Sequence, residues 1–306
     1  MNFFAMPAAT PDQRHAGRLA VALLAIPLLS FLLSAGIARA AAPTPIRITI
    51  LPCTEVIKTF TIFQPLTSYL KKKLNREIHL RIPESKEEFS RIVRQGETEF
   101  AYQSPQAYLA LADQYDRQHL LTALTPTGSP THHGVFVVRQ GSDITKLTDL
   151  RDRAVLFGHN FSAAKWMAAT ALLKGNGINI DRDLSRYTHG GSCESIALHV
   201  YLGQSDAGVI CDYSLKEMQE ATATRDDQIP PNGLVAIAAT AELPNWVFAP
   251  LPGVDPKTVA AVSAALRNLD KNLPEHRQIL EKFEAGGFVT AHDHDYDGLR
   301  RQLSAP

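Results

Sequence analysis

Cysteine is scarce: Cys53, Cys193 and Cys211 are the only three in a chain of 306 residues. That excludes a disulfide-dense secreted scaffold and a four-cysteine zinc site. Neither sign of charge is in excess, with 31 basic and 31 acidic residues. No basic stripe with interleaved aromatics occurs, which removes nucleic acid as a partner. Common enzyme signatures are missing too: no Gly-x-Ser-x-Gly elbow, no His-Glu-x-x-His, no phosphate-binding P-loop. Cys193 with His159 or His189 imitates a thiol nucleophile and base, but no oxyanion hole or orienting third group accompanies them. These patterns do not point to an enzyme, and no cofactor is expected. No internal repeat or low-complexity segment breaks it up.

The long apolar stretch lies at the N-terminus. Arg14, His15 and Arg18 precede a run from Leu19 to Ile37, and Ala38-Arg39-Ala40 fits the small-x-small cleavage rule. This predicts a signal peptide over 1–40 and an exported product. An uncleaved anchor is the competing reading, since the run approaches the ~20 residues that span a bilayer. Losing Arg14, Arg18 and Arg39 against Asp12 leaves the exported chain slightly acidic. The remainder is long enough for two modest domains.

Ile46 to Leu51 is β-branched and alternating, hence a first strand ending in the loop Pro52-Cys53-Thr54. Phe63 to Leu74 carries Leu66, Tyr69, Leu70 and Leu74 at helical spacing. Ile78 to Ile82 is a second strand, and Ser85 with Glu88 resembles a capping box for a helix running to about Arg94. Glu99 to Tyr102 is a third strand, followed by Gln103-Ser104-Pro105 and a helix to about Asp113. Strand and helix alternate, as in a parallel sheet. Pro126 to Gly134 is rich in Pro, Gly, Thr and His and reads as the approach to a hinge. Val135 to Val138 and Ala154 to Phe157 are apolar strands, and a helix runs from about Ala163 to Lys174. Gln228 to Gly233 is a second irregular segment, with strands at Leu234–Ala239 and Val247–Ala249 and helices over 256–272 and 276–283 after it.

Tyr187 to Tyr213 draws most of the chemistry together. Gly190, Gly191 and Ser192 form a break that can cap a helix. Ile196, Ala197, Val200 and Tyr201 fall at helical spacing, and Gly203 ends the helix. Ala207 to Ile210 is a buried-type strand with Cys211, Asp212 and Tyr213 at its C-terminal end. Ligands gather at that edge of open α/β sheets, beside helix starts that favour anions.

Five segments in register resemble the phosphonate-binding type of bacterial periplasmic solute-binding proteins. They are Pro65 to Leu74, Gly96 to Tyr102, Leu147 to Arg153, Ala171 to Asn179 and Gly203 to Asp212. The resemblance implies an α/β, two-lobed type II clamp, each lobe a mostly parallel sheet flanked by helices. It implies lobe one over 41–131 and 244–306 and lobe two over 132–243. It also implies a monomer that closes on a small anion and presents it to an ABC permease, or to a membrane sensor kinase instead. At the ligand positions the chain departs from the family's pattern. Ser162-Ala163-Ala164-Lys165 stands where Ser-Thr-Ser-Gly is typical, Cys193 where a His often follows, and Lys86 and Gln103 where aromatics are usual. Each donor lost from a desolvated anion site costs on the order of 1–3 kcal/mol, so the ligand is expected to differ.

The expected cleft residues are Gln103, Ser104, Ser162, Cys193, Asp212 and Tyr213, with Cys53 and Lys86 on the opposite wall. All lie at strand ends or helix starts. The ordinary structural alternatives are Ser162 as a plain cap, Lys165 pointing to water, Glu194 and Asp212 balancing Lys165 and the helix end, and Tyr213 and Trp166 as core. The cysteines admit three outcomes: a Cys193–Cys211 disulfide, a reduced cluster open to a soft ligand such as a metalloid, or three small buried hydrophobes. His132-His133 and His292 to Asp295 have the look of metal ligands, yet such clusters are common without metal, and no metal is expected.

Overall fold

The computed structural model describes residues 44–52, 56–160, 162–220 and 229–304. The expected signal segment and Cys53 lie outside them. In chain order the strands are β1 (Ile46–Ile50), β2 (Ile78–Arg81), β3 (Phe100–Gln103), β4 (Leu120–Leu124), β5 (Thr131–His132), β6 (Gly134–Arg139) and β7 (Ala154–Phe157). They continue with β8 (Arg186–His189), β9 (Ala207–Cys211), β10 (Leu234–Ala239), β11 (Leu243–Pro244), β12 (Val247–Pro250) and β13 (Gly287–Ala291).

Two main sheets result. A six-stranded sheet has the order β13-β4-β12-β3-β1-β2, and a five-stranded one the order β10-β6-β9-β7-β8. A third, two-stranded ribbon pairs β5 with β11 antiparallel, Leu243 opposite His132. The first sheet takes strands from both ends of the folded chain and the second from its middle. The ribbon holds the outgoing and returning crossings side by side.

The α/β class is as expected, but the sheets are mixed and not mostly parallel. β1 runs parallel to β2 and β3, whereas β12 enters antiparallel beside β3, and β13 antiparallel beside β4. In the second sheet β9 is parallel to β7 but antiparallel to β6. The cause is topological: a strand reached by a crossing between sheets has no βαβ connection to fix its direction.

β1 shows why these stretches pair. Ile46, Ile48 and Ile50 are buried, and so is Thr49 on the other face, since helices cover both sides. The helix Val56–Leu74 supplies one cover with Phe63, Leu66 and Leu70. It starts before the expected Phe63 and carries Pro65 inside, where a missing N–H and a ring clash would normally end it. Its buried face holds it together; fully burying one such side chain stabilises by about 1.5–3 kcal/mol. The helix Lys86–Arg94 is capped as expected, Ser85 accepting from the Glu88 N–H at 3.1 Å. The Glu88 carboxylate reaches back to the Glu84 N–H at 2.9 Å.

Candidate ligand-binding site

The site is built on the start of a helix in the second sheet's unit. After β7 the chain passes Gly158 and enters a π-wound segment, Ala163–Ala168, that runs on as the α-helix Ala169–Gly175. Ser162 caps it, its Oγ accepting from the Lys165 N–H at 3.1 Å, while the Met167 N–H reaches the Ser162 carbonyl at 3.1 Å across the wider π turn. Such one-turn π segments occur often at functional sites. Two glycines let this helix head settle on the strand ends. A Cβ on Gly134, first residue of β6, would meet the Ala164 carbonyl oxygen at 2.5 Å. One on Gly158 would meet the Lys165 Cβ at 2.6 Å. Ala163, Ala164 and Ala168 then pack on Leu243 of β11 and on Leu299 and Leu109 of the first sheet's unit.

Lys165 lies across this head and donates from Nζ to the Gly191 carbonyl at 3.2 Å. Burial alone would lower its pKa, but Cys193, Cys211, Glu284 and Glu194 outweigh that and raise it. The alternative in which Lys165 points to water is thus not what forms. Glu284, in the turn before β13, acts on it from the first sheet's unit. Desolvation, Glu194 and Cys193 raise the Glu284 carboxyl above its ordinary value.

Ser192 caps the helix Cys193–Tyr201 through the Ser195 N–H at 3.2 Å. The helix begins with Cys193 itself, earlier than Ile196. Cys193 and Cys211 are both buried, and both are free thiols, so the expected disulfide is not formed. The physical arrangement is a hydrogen bond: the Cys211 N–H donates to the Cys193 Sγ at 3.3 Å. Bonds from the Cys211 thiol and N–H and from the Ser214 hydroxyl, with Lys165 nearby, outweigh burial and draw the Cys193 thiol down to about 6. The Cys211 thiol moves the opposite way, because its proton serves Cys193 and it is buried.

The remaining expected residues are spread more widely. Asp212 and Tyr213 open the helix Asp212–Glu220 and are not a loop. The Asp212 Oδ1 already accepts from the His133 N–H at 3.0 Å, and the Asp212 N–H donates to the His133 carbonyl at 3.1 Å. Tyr213 is half-buried with its ring edge-on to His132, centroids 6.1 Å apart. Gln103 is fully buried at the end of β3, its Oε1 accepting from the Tyr115 hydroxyl at 2.8 Å and its Nε2 without a partner. Ser104 is the buried cap of the helix Pro105–Ala110. Lys86 is half-buried at the first position of its helix. Ser162, Lys165, Cys193 and Cys211 therefore form one group, Asp212, Tyr213 and His132 a second beside it, and Gln103 and Ser104 lie at an end of the first sheet.

Trp166 joins Phe157, Tyr187 and His189 in an aromatic cluster, in keeping with a core role. His292 and His294 stack at 5.3 Å, and Asp295 accepts from the His292 N–H at 2.7 Å. No group of three or more His, Cys, Asp or Glu arranged to hold a metal occurs among the described residues. No described helix is long and apolar enough to cross a membrane. His132 and Glu284 are the neighbours of the site that sequence reasoning did not place. The adjacent histidines at the hinge approach were the available signal for the first, and nothing local marks the second.

Residues 48–296 match the family described as "ABC transporter, phosphonate, periplasmic substrate-binding protein". The chain belongs to that family. Its members are periplasmic substrate-binding components of ABC transporters and not enzymes. Solved structures share the fold. PhnD1 of Prochlorococcus marinus, in complex with methylphosphonate, is 17% identical over 85% of this chain and 97% of its own, with a TM-score of 0.67. A binding protein component of a Pseudomonas aeruginosa ABC phosphonate transporter is 13% identical over 85% of each chain, TM-score 0.64. A Xanthomonas citri protein bound to ATP is 18% identical over 85% of this chain and 98% of its own, TM-score 0.61. These place the chain among two-lobed type II binding folds.

Proposed function

We propose that this protein is the receptor of an ABC importer and captures a small oxyanion between lobe one, residues 41–131 and 244–306, and lobe two, residues 132–243. Residues 1–40 are removed on export, and the receptor acts as a monomer. The observation that supports this most is the seat of Lys165: one ammonium lies across the Ser162-capped helix head, where N–H groups lack partners within the helix. Lys165 and Ser162 hold the anion, Cys193 lies beside it, and Glu284 meets Lys165 from the facing lobe. Gln103, Ser104, Tyr213, Lys86 and Cys53 complete the walls. The contacts to the anion differ from the family's usual set, because Ala163 and Ala164 have no hydroxyl.

A thermal-shift screen of phosphate, phosphite, alkylphosphonates and sulfonates on the exported chain tests this. Ligand at a hundredfold excess over Kd stabilises by about 2.7 kcal/mol, a shift of several degrees for a chain of this size. A screen with no shift from any oxyanion overturns the proposal.

The two adjacent free thiols favour a second reading, in which Cys193 and Cys211 take a soft ligand such as a metalloid and the clamp reports to a membrane sensor kinase. A shift with arsenite that oxyanions do not give, abolished by Cys193→Ser, selects it.

A further inference from the structure

His132 sits at the crossing between the two sheets, paired with Leu243 in the β5-β11 ribbon. Its Nδ1 is buried and has no hydrogen-bond partner. The neighbouring histidine differs: the His133 Nδ1 meets the Thr240 carbonyl at 3.0 Å. Native proteins rarely leave a buried ring nitrogen unpaired without a reason. The orphan is also well placed. Its ring stands edge-on to Tyr213, and the charged or titratable groups that act on it are Asp212, His133 and Lys165. Burial outweighs the pull of Asp212 and lowers the His132 pKa to about 4, so the imidazole is neutral near pH 7.

A census of the hydrogen-bonding groups narrows what this nitrogen would meet. The oxygen lone pairs of an anion on the helix head are served by Lys165 and by backbone N–H groups. An acid hydroxyl on the same anion needs an acceptor instead. The Asp212 Oδ1 accepts from the His133 N–H, and the Cys193 sulfur from the Cys211 N–H. The His132 Nδ1 is not engaged. Charge agrees: one ammonium matches a single negative charge, and Glu284, Glu194 and Asp212 around it disfavour a second.

We propose that His132 is a ligand contact whose Nδ1 accepts the hydroxyl of a singly charged tetrahedral oxyanion, so that the cleft selects the protonated monoanion of a phosphonate or phosphate over anions without a hydroxyl. This rests on the oxyanion-receptor reading above and deepens it.

Calorimetric titration at pH 5.5 tests it with two probes of similar size and charge. Phosphoryl groups have a second pKa near 6, so methylphosphonate is largely a monoanion with one hydroxyl there, and methanesulfonate is a monoanion with none. The unsubstituted protein is expected to bind methylphosphonate at least about tenfold more tightly, because a site built to pair a hydroxyl rejects the analogue lacking it. His132→Phe should bring the two affinities within about twofold, a loss of about 1 kcal/mol of discrimination. His132→Asn, which can place an acceptor oxygen near the Nδ1 position, should restore part of the preference. Equal affinity for both probes in the unsubstituted protein, or an unchanged preference in His132→Phe, overturns the inference and leaves the receptor reading standing. Failure to bind either probe or any other oxyanion overturns both. The first comparison needs no variant, so poor folding of one does not rescue the inference.

Discussion

The backbone N–H of Cys211 donates to the sulfur of Cys193 at 3.3 Å, joining the end of β9 to the first residue of a helix. The bond suits a thiolate better than a thiol, and so does the start of a helix. Cys193 should therefore titrate far below an ordinary cysteine. Its folded pKa, about 6, lies below the roughly 8.5 of an ordinary cysteine. At pH 7 the unfolded thiol holds a proton that the folded one has released, so stability rises with pH between about 6 and about 8.5. The contribution is full above the unfolded value and is lost as pH falls through the folded one. Urea unfolding at pH 5.5, 7 and 8.5 should show this rise in the unsubstituted protein and a flatter profile in Cys193→Ser. Equal slopes in the two proteins would count against a thiolate.

Neither cysteine is paired, so alkylation of the denatured, unreduced protein should label both Cys193 and Cys211. In the native protein both should react slowly, since both are buried. Peptide mass mapping reads both states. A peptide pair linked through Cys193 and Cys211 would contradict this.

Gly134→Ala and Gly158→Ala should separate two kinds of crowding. At Gly134 the obstacle is the Ala164 carbonyl, a backbone atom at 2.5 Å in a helix fixed from both sides. Overpacking of that sort costs typically about 1–3 kcal/mol, visible as a lower denaturation midpoint. At Gly158 the obstacle is the Lys165 side chain, 2.6 Å away at Cβ and 2.8 Å at Cε. The Cε end can move but the Cβ is fixed to the helix backbone, so stability should fall by a similar amount, and oxyanion affinity should fall more than in Gly134→Ala because the ammonium is displaced. Calorimetry and urea unfolding on both variants check the contrast.

Lys165→Met should weaken oxyanion binding by about 1.5–3 kcal/mol, the range for hydrogen bonds to a charged group, or roughly ten- to a hundredfold. It should also raise the Cys193 pKa, since Lys165 is one of the groups that lower it. Iodoacetamide alkylation rates against pH, on the native protein, measure that second effect independently of any ligand.

What was legible in the sequence follows a physical line. β3, β7 and β9 are short, largely apolar runs whose side chains are buried on both faces, and β1 alternates β-branched residues, so all four declare themselves by composition. Ser85, Ser104, Ser162 and Ser192 all cap the helices they precede, because the capping oxygen acts on the adjacent chain. β4 and β13 were not foreseen; they join the sheet antiparallel, far from their sequence neighbours. Tyr187 to His189 reads as a loop because β8 is an edge strand with little buried, and it pairs with β7 all the same. The Asp212 helix was missed because its first residues continue a strand without a break. Of the site, Ser162 and Cys193 could be read from register. The contact of Lys165 with Gly191 and its interaction with Glu284 could not, since both join segments far apart in the chain.

Asp212 yields the last prediction, because its position assigns it work other than ligand contact. Its Oδ1 accepts from the His133 N–H, and its own N–H donates to the His133 carbonyl, so one residue grips the crossing at two points. His133 and His132 leave the first sheet's unit here, and β6 begins with Gly134. Asp212→Asn keeps an acceptor oxygen and should leave both stability and oxyanion affinity within about twofold. Asp212→Ala leaves the His133 N–H without its side-chain partner and should cost about 1–3 kcal/mol in unfolding free energy. Because the grip holds the chain where the two sheets join, Asp212→Ala should also speed amide exchange at His133 and Gly134. Hydrogen-exchange mass spectrometry on peptides covering 130–137 reads that directly. A large loss of affinity in Asp212→Asn at unchanged stability and exchange would return Asp212 to the ligand set, since only direct contact separates the carboxylate from its amide in that way.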